Sequence, residues 1–308
     1  MPSAGSLFSS VRLLNAAMTD VRKGAGDKRP MLLCGRSAPL DALIEALGGE
    51  RPQAVQLFAV RRLNADDAGR LSQASVAVYG GEVLSGLDEQ TRSDLQVLGR
   101  AKAPKLAMLE ALDLPSDAIA AAGRVRGVQP QDVMPYRQGH FPVERAMDLL
   151  ADRVGSSGPW VASHVPALRS RIVERVIEAA ARRNAKAALM IFVPGADMPV
   201  LTAVQMRMVL QIAACHGETV SADRALELLS VLGAGFGFRM LARSALDFIP
   251  VAGWAVQSGI AYSATRALGT AADEYFERGA VVDVSKVRAI AEGLRYEIEE
   301  MVRKHRAS

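Results

Sequence analysis

The strongest constraint on the fold is a series of short apolar runs spaced through the first half of the chain. They are "RPMLLCG" (29–35), "AVQLFAV" (54–60), "SVAVYGG" (75–81), "KLAMLEA" (105–111) and "DVMPYRQG" (132–139). Each has the length of a strand, and most are apolar without interruption rather than in alternation. Such runs belong to strands covered on both faces. Between several of them lie helical stretches at 39–47, 88–101, 117–125 and 141–154. Strand candidates alternating with helices predict βαβ units and a mostly parallel sheet, so residues 29–155 read as an α/β domain.

Beyond "GSSGP" (155–159) the strand-like runs end and helical spacing takes over. Val165, Leu168, Ile172, Val176 and Ala179 step by three and four, as an amphipathic helix requires. "PGADMP" (194–199) breaks the chain, 200–216 reads as the next helix, and further helices are expected from Ser221 and near Ser285. The expected organisation is an N-terminal helical or flexible segment (1–28), an α/β domain (29–155) and an all-α domain (163–308).

Several function classes are disfavoured by composition. The formal net charge is +4, with basic and acidic residues interspersed and only 5% aromatic residues. No basic strip interleaved with base-stacking aromatics is present, so a nucleic-acid partner is not expected. Cys34 and Cys215 are far apart, and His140, His164, His216 and His305 lack ligand spacing, which points away from disulfides and metal. Ser163-His164 has no acidic partner and no nucleophile elbow, so Ser163 is expected to cap a helix. The N-terminal "LFSSVRLLNAAM" is broken by Arg12 and does not read as a signal peptide.

"MLLCGRSAPLDALIEAL" (31–47) runs a strand through a glycine turn into a helix, the arrangement of a phosphate-binding loop. A working loop is G-x-x-x-x-G-K-[ST], with backbone amides and a lysine holding phosphate and a hydroxyl holding Mg²⁺. Here Gly35 has no second glycine and no lysine after it, and Pro39 removes an amide donor. Arg36 is a planar guanidinium rather than a compact ammonium. "LGAGFGF", with Gly233, Gly235 and Gly237, lacks the preceding strand that a dinucleotide fingerprint needs.

Taken in order, the segments from 29 to 154 resemble an Era-like GTPase domain with its signature residues replaced. "LLCGRSAPLDALIEALGGE" is similar to the P-loop and first helix. "LFAVRRLNADD" stands where the D-x-x-G strand would end, without its aspartate. "KLAMLEALDLP" resembles the strand ending in N-K-x-D, of which Asp113 alone remains. "DVMPYRQGHFPVERAMDLL" resembles the last strand, loop and helix, with Tyr136-Arg137 in place of Ser-Ala. The resemblance implies a pseudo-GTPase fold without a bound cofactor, with Gly35, Arg36, Ser37 and Asp113 as vestigial nucleotide-site positions.

The second half resembles the helical domain of unknown function found behind Era-like GTPases and in YcjF-type inner-membrane proteins. The resemblance spans about 187–279 and includes "IPVAGW" and the P-G-x-x-x-P break. It implies association with GTPases or membranes and no catalytic residue. Ala255, Gly259, Ser263, Ala267 and Ala271 form a small-residue ladder expected to receive a neighbouring helix closely. The uncharged run 248–265 is at the short limit for a membrane span and carries Pro250 and Gln257, so a buried helix is expected there. Arg169, Arg175, Arg182, Arg183 and Lys186 offer a basic face suited to solvent or to anionic headgroups.

The sequence therefore leads to an expectation of a non-catalytic scaffold in the cytoplasm, peripheral to the inner face of the membrane at most. Its expected partner is a protein, a true GTPase or a second copy of the chain. A divergent weak GTP binder and a membrane-anchored structural protein are the alternatives.

Overall fold

The structure, a computed structural model, describes residues 19, 27–48, 53–59, 62–83, 86–112, 115–190, 198–219, 258–259 and 261–278. It divides into two compact units, Ala25–Ile172 and a second containing the described residues from Val173 onward. Residues 163–172, which composition groups with the helical half, fold with the first unit. Gly158 packs closely between Ile172 and Val154, and Arg171 pairs with Glu144 and, at 3.0 Å, with Asp148.

The first unit is built on five parallel strands, β1 (Met31–Gly35), β2 (Val55–Ala59), β3 (Val76–Val83), β4 (Lys105–Ala111) and β5 (Val133–Arg137). Their order is β2-β1-β3-β4-β5. This is the 2-1-3-4-5 order of a doubly wound sheet. The connecting helices are α1 (Ser37–Ala46), the short α2 (Asp67–Leu71), α3 (Glu89–Arg100), α4 (Pro115–Ala122) and α5 (Val143–Arg153). The expected α/β architecture is present, and α2 is an element that the spacing of apolar residues did not announce.

The strands alternate their side chains between two buried layers, as the pleat dictates. Leu32, Cys34, Ala77, Tyr79, Ala107 and Leu109 join Leu71, Leu95, Leu98 and Ala118 in one core under α2, α3 and α4. Met31, Leu33, Val78 and Met108 are buried on the opposite face, where α1 and α5 contribute Leu40, Leu43, Met147 and Leu150. Asp94 is almost fully buried in the first layer. Its carboxylate accepts the Leu63 amide at 2.9 Å and the Tyr79 hydroxyl at 3.3 Å. Burial outweighs these bonds and raises the pKa of Asp94. Burial also pushes the Cys34 thiol up, and its sulfur donates to the Val78 carbonyl at 3.2 Å.

After α6 (Gly158–His164) comes the long α7 (Pro166–Met190), followed by α8 (Met198–Cys215) and α9 (261–278). Val165, Leu168 and Ile172 are buried as the spacing predicts, but Val176 is half-buried and Ala179 exposed. The buried line continues instead through Val173, Ile177, Ala181, Asn184 and Ala188. This one-residue shift coincides with the passage from one unit to the next at 172/173. In the second unit Asn184 Nδ2 donates to Thr265 Oγ1 at 2.8 Å, and both residues are buried. His216 Nε2 lies 2.7 Å from Asp273, tying the end of α8 to α9. Among the described residues, no helix is long and apolar enough to cross a membrane. Most of 248–265, the Gly233–Gly237 turn and the helices expected from Ser221 and Ser285 lie outside the described residues.

Candidate functional site

In a doubly wound sheet, ligands bind outside the carboxyl ends of the strands where the strand order reverses. Here that point is between β1 and β3. It is where Gly35 and Arg36 fall, so the sequence-predicted turn occupies the topologically correct place. There Arg36 is engaged by the protein's own groups.

Gly35 adopts φ +107°, and a Cβ on it would lie 2.1 Å from the carbonyl oxygen of Gly80. Only glycine suits a positive φ combined with such close backbone approach. The Arg36 amide donates to that same Gly80 oxygen at 2.8 Å, so it is spent inside the protein. The Arg36 guanidinium reaches forward over the crevice. Its Nη1 lies 2.8 Å from Glu82 Oε2, and its Nη2 pairs with Asp88. Asp88 also caps α3, accepting the Thr91 amide at 2.6 Å. Burial opposes the Asp88 charge, but the Thr91 amide and Arg36 together hold its carboxyl below the ordinary value.

The neighbouring strands extend this edge. Register places Glu82 beside Glu110, and Glu110 beside Tyr136. Glu110 accepts the Gly139 amide at 3.1 Å. Tyr136 is buried and its ring meets Phe141 edge-on at 5.3 Å. Burial, with Glu110 and Glu82 nearby, pushes the phenol's pKa up, so it stays a neutral hydroxyl.

Among the described residues this edge thus carries Glu82, Asp88 and Glu110, and Arg36 is already held by the first two. A phosphate entering here would face Glu82, Asp88 and Glu110 and would have to displace the Arg36 ion pairs. Among the described residues of this edge, no nucleophile has an adjacent base. Among the described residues no group of three or more His, Cys, Asp or Glu is placed to hold a metal.

Of the positions read from the sequence, Gly35 and Arg36 meet at this edge, and Ser37 opens α1. Asp113 lies outside the described residues. Glu82, Asp88 and Glu110 were missed. The available signal was a carboxylate at the carboxyl end of an otherwise buried parallel strand. Ser163 does not cap a helix; it lies inside α6 and its hydroxyl donates to the Trp160 carbonyl at 2.8 Å.

Of the small-residue ladder, Ala267 and Ala271 are buried, Gly259 and Ser263 are half-buried, and Ala255 lies outside the described residues. A close approach falls beside the ladder, at Gly269, where a Cβ would meet Ile177 at 2.7 Å. The basic stripe on α7 is partly engaged. Arg169 bonds the Ala162 carbonyl, Arg182 pairs with Glu178, and Arg175 is also partnered, while Arg183 and Lys186 are exposed.

The fold and site define a doubly wound α/β unit whose switch point carries the ion pairs of Arg36 with Glu82 and Asp88, followed by helices. No protein-family model matches the chain, and no curated protein or solved structure matches it either.

Proposed function

We propose that this chain is a non-catalytic pseudo-GTPase that acts as a scaffold for protein association. The α/β unit is P-loop-derived in this reading and keeps the shape of a nucleotide domain without its chemistry. The helical half supplies further association surface, with a true GTPase or a second copy as partner. Its location is the cytoplasm, with at most a peripheral contact on anionic membrane.

The observation that carries the reading is the double use of Arg36. Its amide is bonded to Gly80 and its guanidinium to Glu82 and Asp88, in the place where a nucleotide domain keeps donors free for phosphate. A charge-assisted hydrogen bond to phosphate stabilises by about 1.5–3 kcal/mol, so a crevice without several of them binds nucleotide more weakly by orders of magnitude. Calorimetry of the full chain with GTP, GDP and ATP in Mg²⁺ is expected to show no saturable binding. Binding in the low micromolar range rejects the proposal in favour of a divergent GTP binder.

A further inference from the structure

The first unit carries a second concave feature, which begins at Gly86 and Leu87 beside Asp88 and runs along α3. A groove of about 1100 Å³ runs between α3 and the turn that follows α4. On α3 it is lined by Arg92, Gln96, Gly99 and Arg100, which share one helical face by their spacing. The other wall includes Arg124 and Arg126, and apolar surface comes from Leu87, Ala121 and Val125. Among the described residues that line it there is no carboxylate. The floor is closely packed: a Cβ on Gly99 would meet the Arg126 carbonyl at 2.3 Å, and Lys105 Nζ lies 3.2 Å from the Gly127 carbonyl.

The four guanidinium groups have no ion pair or hydrogen bond among the described residues, whereas those of Arg36 and Arg171 are held by carboxylates. Helix dipoles favour cations at helix C-termini, which accounts for Arg100 in the last turn of α3. They do not account for Arg92, which follows the N-cap of that same helix by four residues.

We infer that this groove docks an acidic segment of a partner protein, carrying glutamates or aspartates beside aliphatic residues. The inference rests on the scaffold reading above and gives it a binding surface. Three features choose the occupant. Arg92 and Arg100 are eight residues apart on a helix, about 12 Å, a spread suited to successive carboxylates rather than to one compact phosphate. Among the described residues that line the groove there is no aromatic side chain, so nucleobases have nothing there to stack on. The lining also recedes to buried Val125, which a flat layer of headgroups does not reach.

The test uses the full chain and a labelled peptide of glutamates with leucine at every fourth position, followed by fluorescence anisotropy. Saturable binding is expected, weakening as salt rises. The pair Arg100→Glu and Arg124→Glu should weaken it at least tenfold, while Arg183→Glu with Lys186→Glu, exposed in the second unit, leaves it unchanged. Should the reversal disturb folding, Arg92→Gln with Arg126→Gln is expected to weaken binding at least threefold at an unchanged melting temperature. The inference is overturned by absent binding, by equal binding of a glutamine version of the peptide, or by insensitivity to both pairs. Groove-dependent capture of a dT12 oligonucleotide or phosphatidylglycerol vesicles in preference to the peptide also overturns it. A protein that copurifies equally with wild type and the reversal pair would sink the groove while leaving the scaffold reading intact. Nucleotide binding alongside groove-dependent peptide binding would do the reverse.

Discussion

At Gly35 two demands meet in one residue, a backbone φ of +107° and a carbonyl oxygen 2.1 Å from where a methyl group would sit. Gly35→Ala is therefore expected to destabilise the first unit by about 2–4 kcal/mol, combining backbone strain with overpacking. The urea midpoint of the full chain measures it, and an unchanged midpoint would mean that the β1–α1 turn can open freely. Asp88 divides its carboxylate between a helix cap and Arg36, and the two roles separate by substitution. Asp88→Asn keeps a capping oxygen and loses the charge, whereas Asp88→Ala loses both, with the cap worth about 1 kcal/mol. The alanine variant should melt lower than the asparagine one. Glu178, in the second unit, accepts the Tyr262 hydroxyl at 2.6 Å and pairs with Arg182 and Arg266. These bonds, Tyr262 foremost, hold its pKa down at about 2, against an ordinary 4.5. A depressed carboxylate stabilises the fold above its ordinary pKa, and that contribution is lost as pH falls from 4.5 towards 2. Because Glu178 keeps some exposure, the amount is on the order of 1–2 kcal/mol. Melting curves should fall less steeply between pH 5 and 2 for Glu178→Gln than for wild type.

Among the elements, the contact of α3 with the turn after α4 is the tightest point beneath the groove. Gly99→Ala would drive a methyl group to 2.3 Å from the Arg126 carbonyl and is expected to cost about 1–3 kcal/mol. If its melting temperature matches wild type, the two backbones are not held together as described. The strands were legible because most are nearly continuous apolar runs. "KLAMLEA" is β4 without adjustment, and the other four match β1, β2, β3 and β5 within a few residues. The short α2, with Leu71 as its one buried residue, leaves no period to detect. The switch-point site was half legible. Gly35 and Arg36 stood out locally, but Glu82 and Asp88 lie 46 and 52 residues further on, and only the crossover from β1 to β3 brings them together. The arginine groove was illegible for the same reason. Its two walls are separate stretches, and in the sequence Arg92, Arg100, Arg124 and Arg126 look like solvated charges.

On the scale of the whole molecule, each unit has its own buried interior. Residues 25–172, expressed alone, are expected to unfold cooperatively in urea, with coincident circular dichroism and fluorescence transitions. A broad, non-cooperative transition would show that this unit depends on the rest of the chain. When cells expressing the full chain are fractionated, the protein is expected in the soluble or salt-washed fraction, and retention through alkaline carbonate would favour the membrane-anchored alternative. One consequence of the two cysteines remains. Cys34 lies in the first unit and Cys215 in the second, both at 0% exposure, and no others exist in the chain. A thiol sealed in this way reacts only when its surroundings open. The protein thus carries a built-in clock in each half, and pulsed alkylation followed by peptide mapping would time the opening of the two units separately, with no engineered label.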